Sequence, residues 1–395
     1  MIKENVQLAL ILLFSSVFLV LETNSISISA SEAQIFFNGS GIVHYISHIF
    51  IGILGQNDLA LRLPFIIFNI FSLFLIYKIG KLFLKRKADR ILSTVIFALL
   101  PGINSAALLV NSASLVIFLT LLFVYLYMYD YKTLSYVVLI FALFVDNSFS
   151  ILYLSLLFFA ISKKDNKLLI FSLILFGISM YMYGFDDGGK PKGYFLDTFG
   201  IYAAIFSPFL FLYYIYSLYR ILIKEEKNLL WYISFVAFIF SLLLSFRQRV
   251  QLEDFAPFVT LAIPLMVGVF FNSYRVRLPE FRRWHRAISA FVLFFLVINT
   301  FFTFVNKPLY SLFPNPKRHF AYKYHIAKEL ANKLKIKKIY KINTSNTNLA
   351  KRLKFYGIKS GGDKILVENS YTSKNKDSIK ISYYGTIVAR FYIIN

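Results

Sequence analysis

The stretch that decides the fold is "GQNDLALRLPFIIFNIFSLFLIYKIGKLFLKRKADRILSTVIFALLPG", residues 55–102. A polar loop ends at Asp58, and Arg62 and Pro64 open an apolar run over 62–80. A run of that length is near what is needed to cross ~30 Å of hydrocarbon. It closes on Lys78, Lys81, Lys85, Arg86, Lys87 and Arg90, and a second apolar run ends at Pro101 and Gly102. Two such runs joined by a short basic turn read as a membrane hairpin whose turn faces the cytoplasm.

The same pattern extends in both directions. Apolar runs recur at 6–22, 62–80, 91–109, 113–129, 134–146, 148–162, 168–184, 199–221, 229–246, 255–272 and 287–306, giving eleven candidate spans. The chain is 58% hydrophobic and only 16% charged, whereas a soluble domain carries about 25% charged residues. The expected fold is therefore a mainly α, polytopic membrane protein with the lipid bilayer as its first partner. The runs 134–146 and 148–162 are short and separated only by Asp146 and Asn147. They read either as two spans or as one kinked unit. The opening run is longer than the ~7–15-residue core of a signal peptide, so it reads as a span. There is no cysteine, which excludes disulfides and cysteine-held metals.

Lys and Arg sort the loops. Residues 22–61 carry none, and "NSAALLVNSAS" (104–114) is uncharged, whereas "SKKDNK" (162–167) and "NSYRVRLPEFRRWHR" (272–286) are basic. This alternation puts the N-terminus in the cytoplasm. With eleven spans, the first loop (22–61) and the tail then lie outside. The tail, 307–395, holds 19 Lys and Arg against 4 Asp and Glu. It reads as a small α/β domain. Helices are expected in "AYKYHIAKELANKLK" and in "NTNLAKRLKFYG", the latter stopped at Gly357, and strands in "KKIYKIN" and "KILVEN". A hairpin is expected in "SIKISYYGTIVARFYIIN", broken at Gly385. Domain one is thus 1–306 and domain two 307–395. The tail is too short and too poor in acids to be an enzyme by itself, and its charge suits anionic headgroups.

The order of residues 55–102 resembles membrane glycosyltransferases of the GT-C class. The nearest groups are the dolichyl-phosphate-mannose protein mannosyltransferase-like family and its bacterial aminoarabinose transferase relatives. The residues that carry the likeness are Gly55, the string "LALRLP" (59–64), and Pro101 with Gly102. "SFRQRVQLEDFAPFVTLAIPLMVGVFF" is similar to the family's late span, and the tail to its terminal outside domain. The resemblance implies an enzyme of the bacterial cytoplasmic (inner) membrane with a periplasmic tail. It would take a sugar from a polyprenyl-phosphate donor and pass it to a periplasmic lipid, glycan or protein, with inversion. It implies no nucleic-acid partner.

In that family an Asp-Glu pair follows the first span, and the Asp acts as base. Here the place is "SISASEAQIFF" (27–37), where Glu32 matches the second acid and Ser31 replaces the first. Glu32 is therefore the expected catalytic base, since transfer to a hydroxyl or amine needs a proton acceptor. The plain alternative is a solvated loop carboxylate. Arg62, Arg247 and Arg249 are the expected donor-phosphate ligands, because Arg binds phosphate through paired hydrogen bonds. Asp58 stands where the family often has Glu, and Asp146 is an acid placed between two apolar runs. Two further departures are Asn111, Ser112 and Ser114 in place of an acid, and Asp146–Asn147 near a usual Lys. They leave a non-catalytic lipid-binding or partner subunit of the same fold as an alternative. A transporter or flippase is a lesser one, since neither repeated halves nor broken spans are read here. No cofactor is expected. Asp186 and Asp187 are too few for a divalent metal loop, and His44 and His48 lack the companion ligand a zinc pair needs.

Overall fold

The computed structural model describes residues 2–184, 193–368 and 377–394. The chain is mostly helical, with one small C-terminal sheet. Among the described residues, five helices are long and apolar enough to cross a membrane: Glu4–Ser25, Asp58–Phe83, Asn166–Tyr183, Ala256–Val276 and Pro279–Phe304. Four shorter apolar helices and three bent helix pairs accompany them. If each bent pair is one span, up to eight segments qualify.

The bends revise the reading of unbroken spans. Lys87–Leu99 meets Pro101–Leu108 at 57°, and Phe195–Phe206 meets Pro208–Lys224 at 104°. Proline has no N–H to continue the preceding helix, but it suits the first turn of a new one. The third pair, Ala30–Asn38 and Ile42–Leu54 at 85°, lies in the region expected to be loop. Pro64 also differs from expectation. The second long helix begins six residues earlier, where Asn57 Oδ1 accepts from the Ala60 N–H at 2.7 Å. Asp58 and Arg62 thus share one helical face.

The chain divides into two compact units. The first comprises 1–17, 65–107 and 112–300. Many of its polar side chains bond helix carbonyls, which suits a membrane interior. Trp231 Nε1 donates to Leu218 O at 3.2 Å, Ser234 Oγ to Phe258 O at 3.0 Å, and Tyr153 Oη to Leu139 O at 2.9 Å. The Tyr153 bond shows Lys132–Leu143 and Phe149–Lys163 folded back on each other as two helices. The Tyr136 and Phe171 rings, 4.7 Å apart, bring Asn166–Tyr183 against the first of them. Basic turns gather at one end of this unit. Arg90 meets Glu4 at 2.8 Å, Arg275 pairs with Asp89, and Tyr129 reaches Lys78 O at 3.1 Å. The turns at 144–148 and 247–255 belong to the opposite end, because each is one helix length away from a basic turn.

The second unit comprises 18–64, 108–111 and 301–395. It joins the first loop to the tail. The sheet has order β1 (Asn343–Thr344), β2 (Ile365–Glu368), β4 (Thr386–Ile394), β3 (Asp377–Tyr383). β1 and β2 run parallel, and the other pairs antiparallel. Helices Ala327–Ile336 and Thr347–Phe355 pack Leu330, Leu334 and Leu353 against Ile381 and Phe391. The β3–β4 turn has Tyr384 at φ +46° and Gly385 at φ +80°, the left-handed pair that a two-residue hairpin requires. "KKIYKIN" yields only β1 and one bridge, Lys341 to Lys359.

His325 is buried beside this core, with Nδ1 2.8 Å from Tyr310 Oη. Burial, then the charges of Lys307, His319 and Arg352, lower its pKa from 6.5 to about 3. The unfolded chain therefore takes up a proton below pH 6.5 that the folded unit refuses. Stability from this group is whole above 6.5 and declines as pH falls toward 3, by up to ~1.4 kcal/mol per pH unit. Urea unfolding of the protein in detergent at pH 7 and pH 5 should show this loss. A His325→Gln variant should show a flatter slope, and an unchanged slope would assign the effect elsewhere.

Candidate functional site

Two polar constellations stand out, one in each unit. The second unit holds a charged knot. Ser29 caps helix Ala30–Asn38 by accepting from the Glu32 N–H at 3.2 Å, and Glu32 Oε2 accepts from the Ser29 N–H at 2.7 Å. This reciprocal pair is a capping box. Glu32 is 2% exposed and Arg62 is fully buried. Arg62 Nη2 reaches both Glu32 oxygens, at 3.2 and 3.1 Å, and Ser27 O at 3.2 Å. The Val110 N–H donates to Glu32 Oε1 at 3.1 Å. Glu32 is thus neither a loop residue nor solvated, and its lone pairs are occupied. The sequence signal for this was "SASE", the S-x-x-E of a capping box. Ser31, in the place of the family's base, is exposed, and its hydroxyl lies 3.1 Å from that of Ser29.

Asp58 completes the knot. It lies 3.7 Å from Arg62 and 2.8 Å from Lys328, and accepts from Tyr356 Oη at 2.6 Å. Burial, then the Asp58 charge, raises the Tyr356 pKa, so the phenol stays a donor. Tyr356 Oη in turn accepts from the Ile28 N–H at 2.8 Å. Arg352 donates to Ile28 O at 2.7 Å and to His325 O at 2.8 Å. Burial lowers the Arg352 pKa, against the charges of Tyr356, Glu32 and Tyr322. Sequence reading passed over Arg352 and Tyr356. Their spacing of four was the available signal, since it puts both at one side of the helix Thr347–Phe355 and its cap.

The first unit holds a polar cavity of about 330 Å³. It lies among the 144–148 turn, the ends of Asn166–Tyr183 and Leu229–Ser245, and the 248–255 segment. Asp146, Asn147, Ser148, Gln248, Arg249, Gln251 and Asp254 line it. Ser148 donates its N–H to Asp146 Oδ1 at 2.9 Å, while its buried Oγ has no hydrogen-bond partner. Burial, then the charges of Asp146 and Glu253, raises the Asp254 pKa to about 7. A carboxyl poised there exchanges protons near neutrality, as general acid–base work requires. Both Arg247 and Arg249 are exposed, but only Arg249 belongs to the cavity lining. Neither Asp254 nor Ser148 was singled out in the sequence, because burial is what distinguishes them from other surface Asp and Ser.

No protein-family model matches the chain, and no curated protein matches it. The site rests on its own geometry.

His44 and His48 lie on helix Ile42–Leu54 and bond the carbonyls of Ile35 and Phe36, at 2.9 and 2.8 Å. Asp186 and Asp187 lie outside the described residues. Among the described residues, no group of three or more His or acidic side chains is arranged to hold a metal ion.

Removing one partner of a buried pair strands the other charge, at ~3–5 kcal/mol. Arg62→Met and Glu32→Ala should each destabilise the protein by that order in chemical unfolding. The double variant should cost clearly less than the two losses together. Strict additivity would mean the pair is not coupled.

Proposed function

We propose that the chain is a membrane glycosyltransferase of GT-C-like build that moves a sugar from a polyprenyl-phosphate donor to an acceptor outside the cytoplasm. The observation that carries this reading is the polar cavity, where a guanidinium, two carboxyls and an unsatisfied hydroxyl line one space. A concave site with a few converging polar groups and a shifted pKa has the hallmarks of a reaction site. The gathering of basic turns at the other end of the same unit supports an outside-facing cavity. In an inner membrane, that side is periplasmic.

In this reading Arg249 meets the donor phosphate, whose charge grows as the sugar leaves. Asp254 takes the acceptor's proton, and Asp146 keeps the proton affinity of Asp254 high. The attacking oxygen or nitrogen bonds the anomeric carbon as its bond to phosphate oxygen breaks, with inversion. The polyprenyl phosphate departs as the anion. Glu32 and Arg62 serve as an anchor instead of base and phosphate ligand, because each already satisfies the other. The prenyl tail is already in lipid, so the protein need order only headgroup and acceptor.

The saturated Glu32 and the serine at 31 also favour a second reading, a non-catalytic lipid-binding member of the same fold. A panel of polyprenyl-phosphate sugars, offered to purified protein with candidate acceptors, separates the two. Asp254→Asn should lower transfer by ~10²–10⁴ with unfolding unchanged. Per mole of folded protein, Glu32→Gln should retain it. Because Asp254 must be ionised to act, the wild-type rate should climb as pH passes about 7. Transfer that survives in Asp254→Asn but vanishes in a folded Glu32→Gln would return the base to Glu32. Binding of the donor lipid without turnover would select the second reading.

A further inference from the structure

The end of the first unit that bears the basic turns holds a second cavity, of about 280 Å³. It lies between the helix Pro279–Phe304 and three others: Lys87–Leu99, Pro208–Lys224 and Ile263–Val276. Its wall is apolar, with Leu92, Ile96, Met266, Ile288 and Val292 among the lining side chains. Arg277 and His285 stand in the same lining.

The helix Pro279–Phe304 is little buried along its length. Within the first unit, only Leu296 and Thr300 of its residues are buried. Toward its start, His285 stacks on Phe270 at 4.9 Å, and Arg286 donates to Tyr274 Oη at 2.9 Å. Between these two attachments Phe209 meets Phe291 and Phe295, each at 4.9 Å, and the cavity is lined by Ile288, Ser289 and Val292 of the same stretch. His285 Nε2 is shielded from solvent and has no hydrogen-bond partner.

The surrounding segment is strongly cationic. Residues 272–286 hold five arginines and one acid, Glu280. Arg275 is neutralised by Asp89. Among the described residues, Arg277, Arg282, Arg283 and Arg286 have no carboxylate partner. Beside them Val276, Leu278, Phe281 and Trp284 are exposed, Trp284 by 76%. Exposed apolar and aromatic side chains next to arginines are the make-up of a segment seated at a membrane interface.

We propose that this cavity is a binding slot for an anionic phospholipid of the surrounding bilayer. One acyl chain lies between Pro279–Phe304 and its neighbours, and the phosphate sits against Arg277 and His285. Charge complementarity selects the occupant: the wall suits hydrocarbon, and the mouth carries arginines without counter-ions. The slot is separate from the polar cavity and does not depend on sugar transfer.

Trp284 adjoins His285, and the chain has only two tryptophans. Trp231→Phe leaves Trp284 as the sole reporter. The full chain is placed in nanodiscs containing either phosphatidylglycerol or phosphatidylcholine with brominated acyl chains, at equal mole fraction. Each arginine near an anionic membrane surface strengthens its attraction by about five-fold, so brominated phosphatidylglycerol should quench more strongly. Arg277→Gln should remove most of that preference. Ser289→Phe, which fills the slot and keeps every arginine, should remove it as well. Equal quenching by the two lipids overturns the proposal. So does a preference that survives Ser289→Phe, which would be attraction to the surface alone. Recovery of fluorescence on adding polyprenyl phosphate at the same mole fraction overturns the choice of phospholipid as occupant.

Discussion

The guanidinium of Arg62 has no exposed surface, and a charge so placed must be matched by partners or the fold does not hold. The partners come from separated parts of the chain. Glu32 arrives on a short helix capped by Ser29, Asp58 lies one turn before Arg62, and the carbonyls of Ile26 and Ser27 close the ring. Tyr356 and Lys328 then bind the tail to Asp58, and Arg352 binds it to the Ile28 carbonyl. The second unit is therefore assembled around one cation. The first loop cannot move freely while its carboxylate and backbone carbonyls neutralise a buried arginine.

That constraint bears on where chemistry can occur. The Glu32 carboxylate accepts from a guanidinium and two backbone N–H groups. It has no lone pair left for a substrate proton. The polar cavity of the first unit presents the opposite condition. Its acids crowd one another, one is pushed to a pKa of about 7, and the Ser148 hydroxyl is unsatisfied. Strain of this kind is tolerated where a ligand relieves it. Other hydroxyls of the same unit, such as Ser93 and Thr120, are also unpartnered, but the cavity is where an unpartnered hydroxyl stands beside two crowded acids and an arginine.

Much of the plan is legible in the chain. Most apolar runs coincide with helices, because burying backbone in hydrocarbon leaves few alternatives. But 91–109 and 199–221 are each broken in two, and the helix of the last run begins eight residues before 287. The tail's two helices and its hairpin at Gly385 follow from periodicity and from glycine's freedom at positive φ. The first loop is apolar and polar by turns without a long run, so its helices are only partly legible, around His44 and His48. Its helices Ala30–Asn38 and Ile42–Leu54 are short and depend on packing for their stability. Pro64 misled in the other direction, since the Asn57 cap lies upstream of it.

The residues alone determined a helical membrane protein with a small basic α/β tail, and they placed acids and arginines as candidates. They did not determine which of those charges would be spent on each other. Glu32 and Arg62 are thirty positions apart, and only the folding of the first loop onto the tail removes both from water. Asp146 and Asp254 are ordinary in the chain and become a coupled pair only when two turns meet at one end of a helical bundle. Burial and proximity set what a carboxyl can do, and both are properties of tertiary structure.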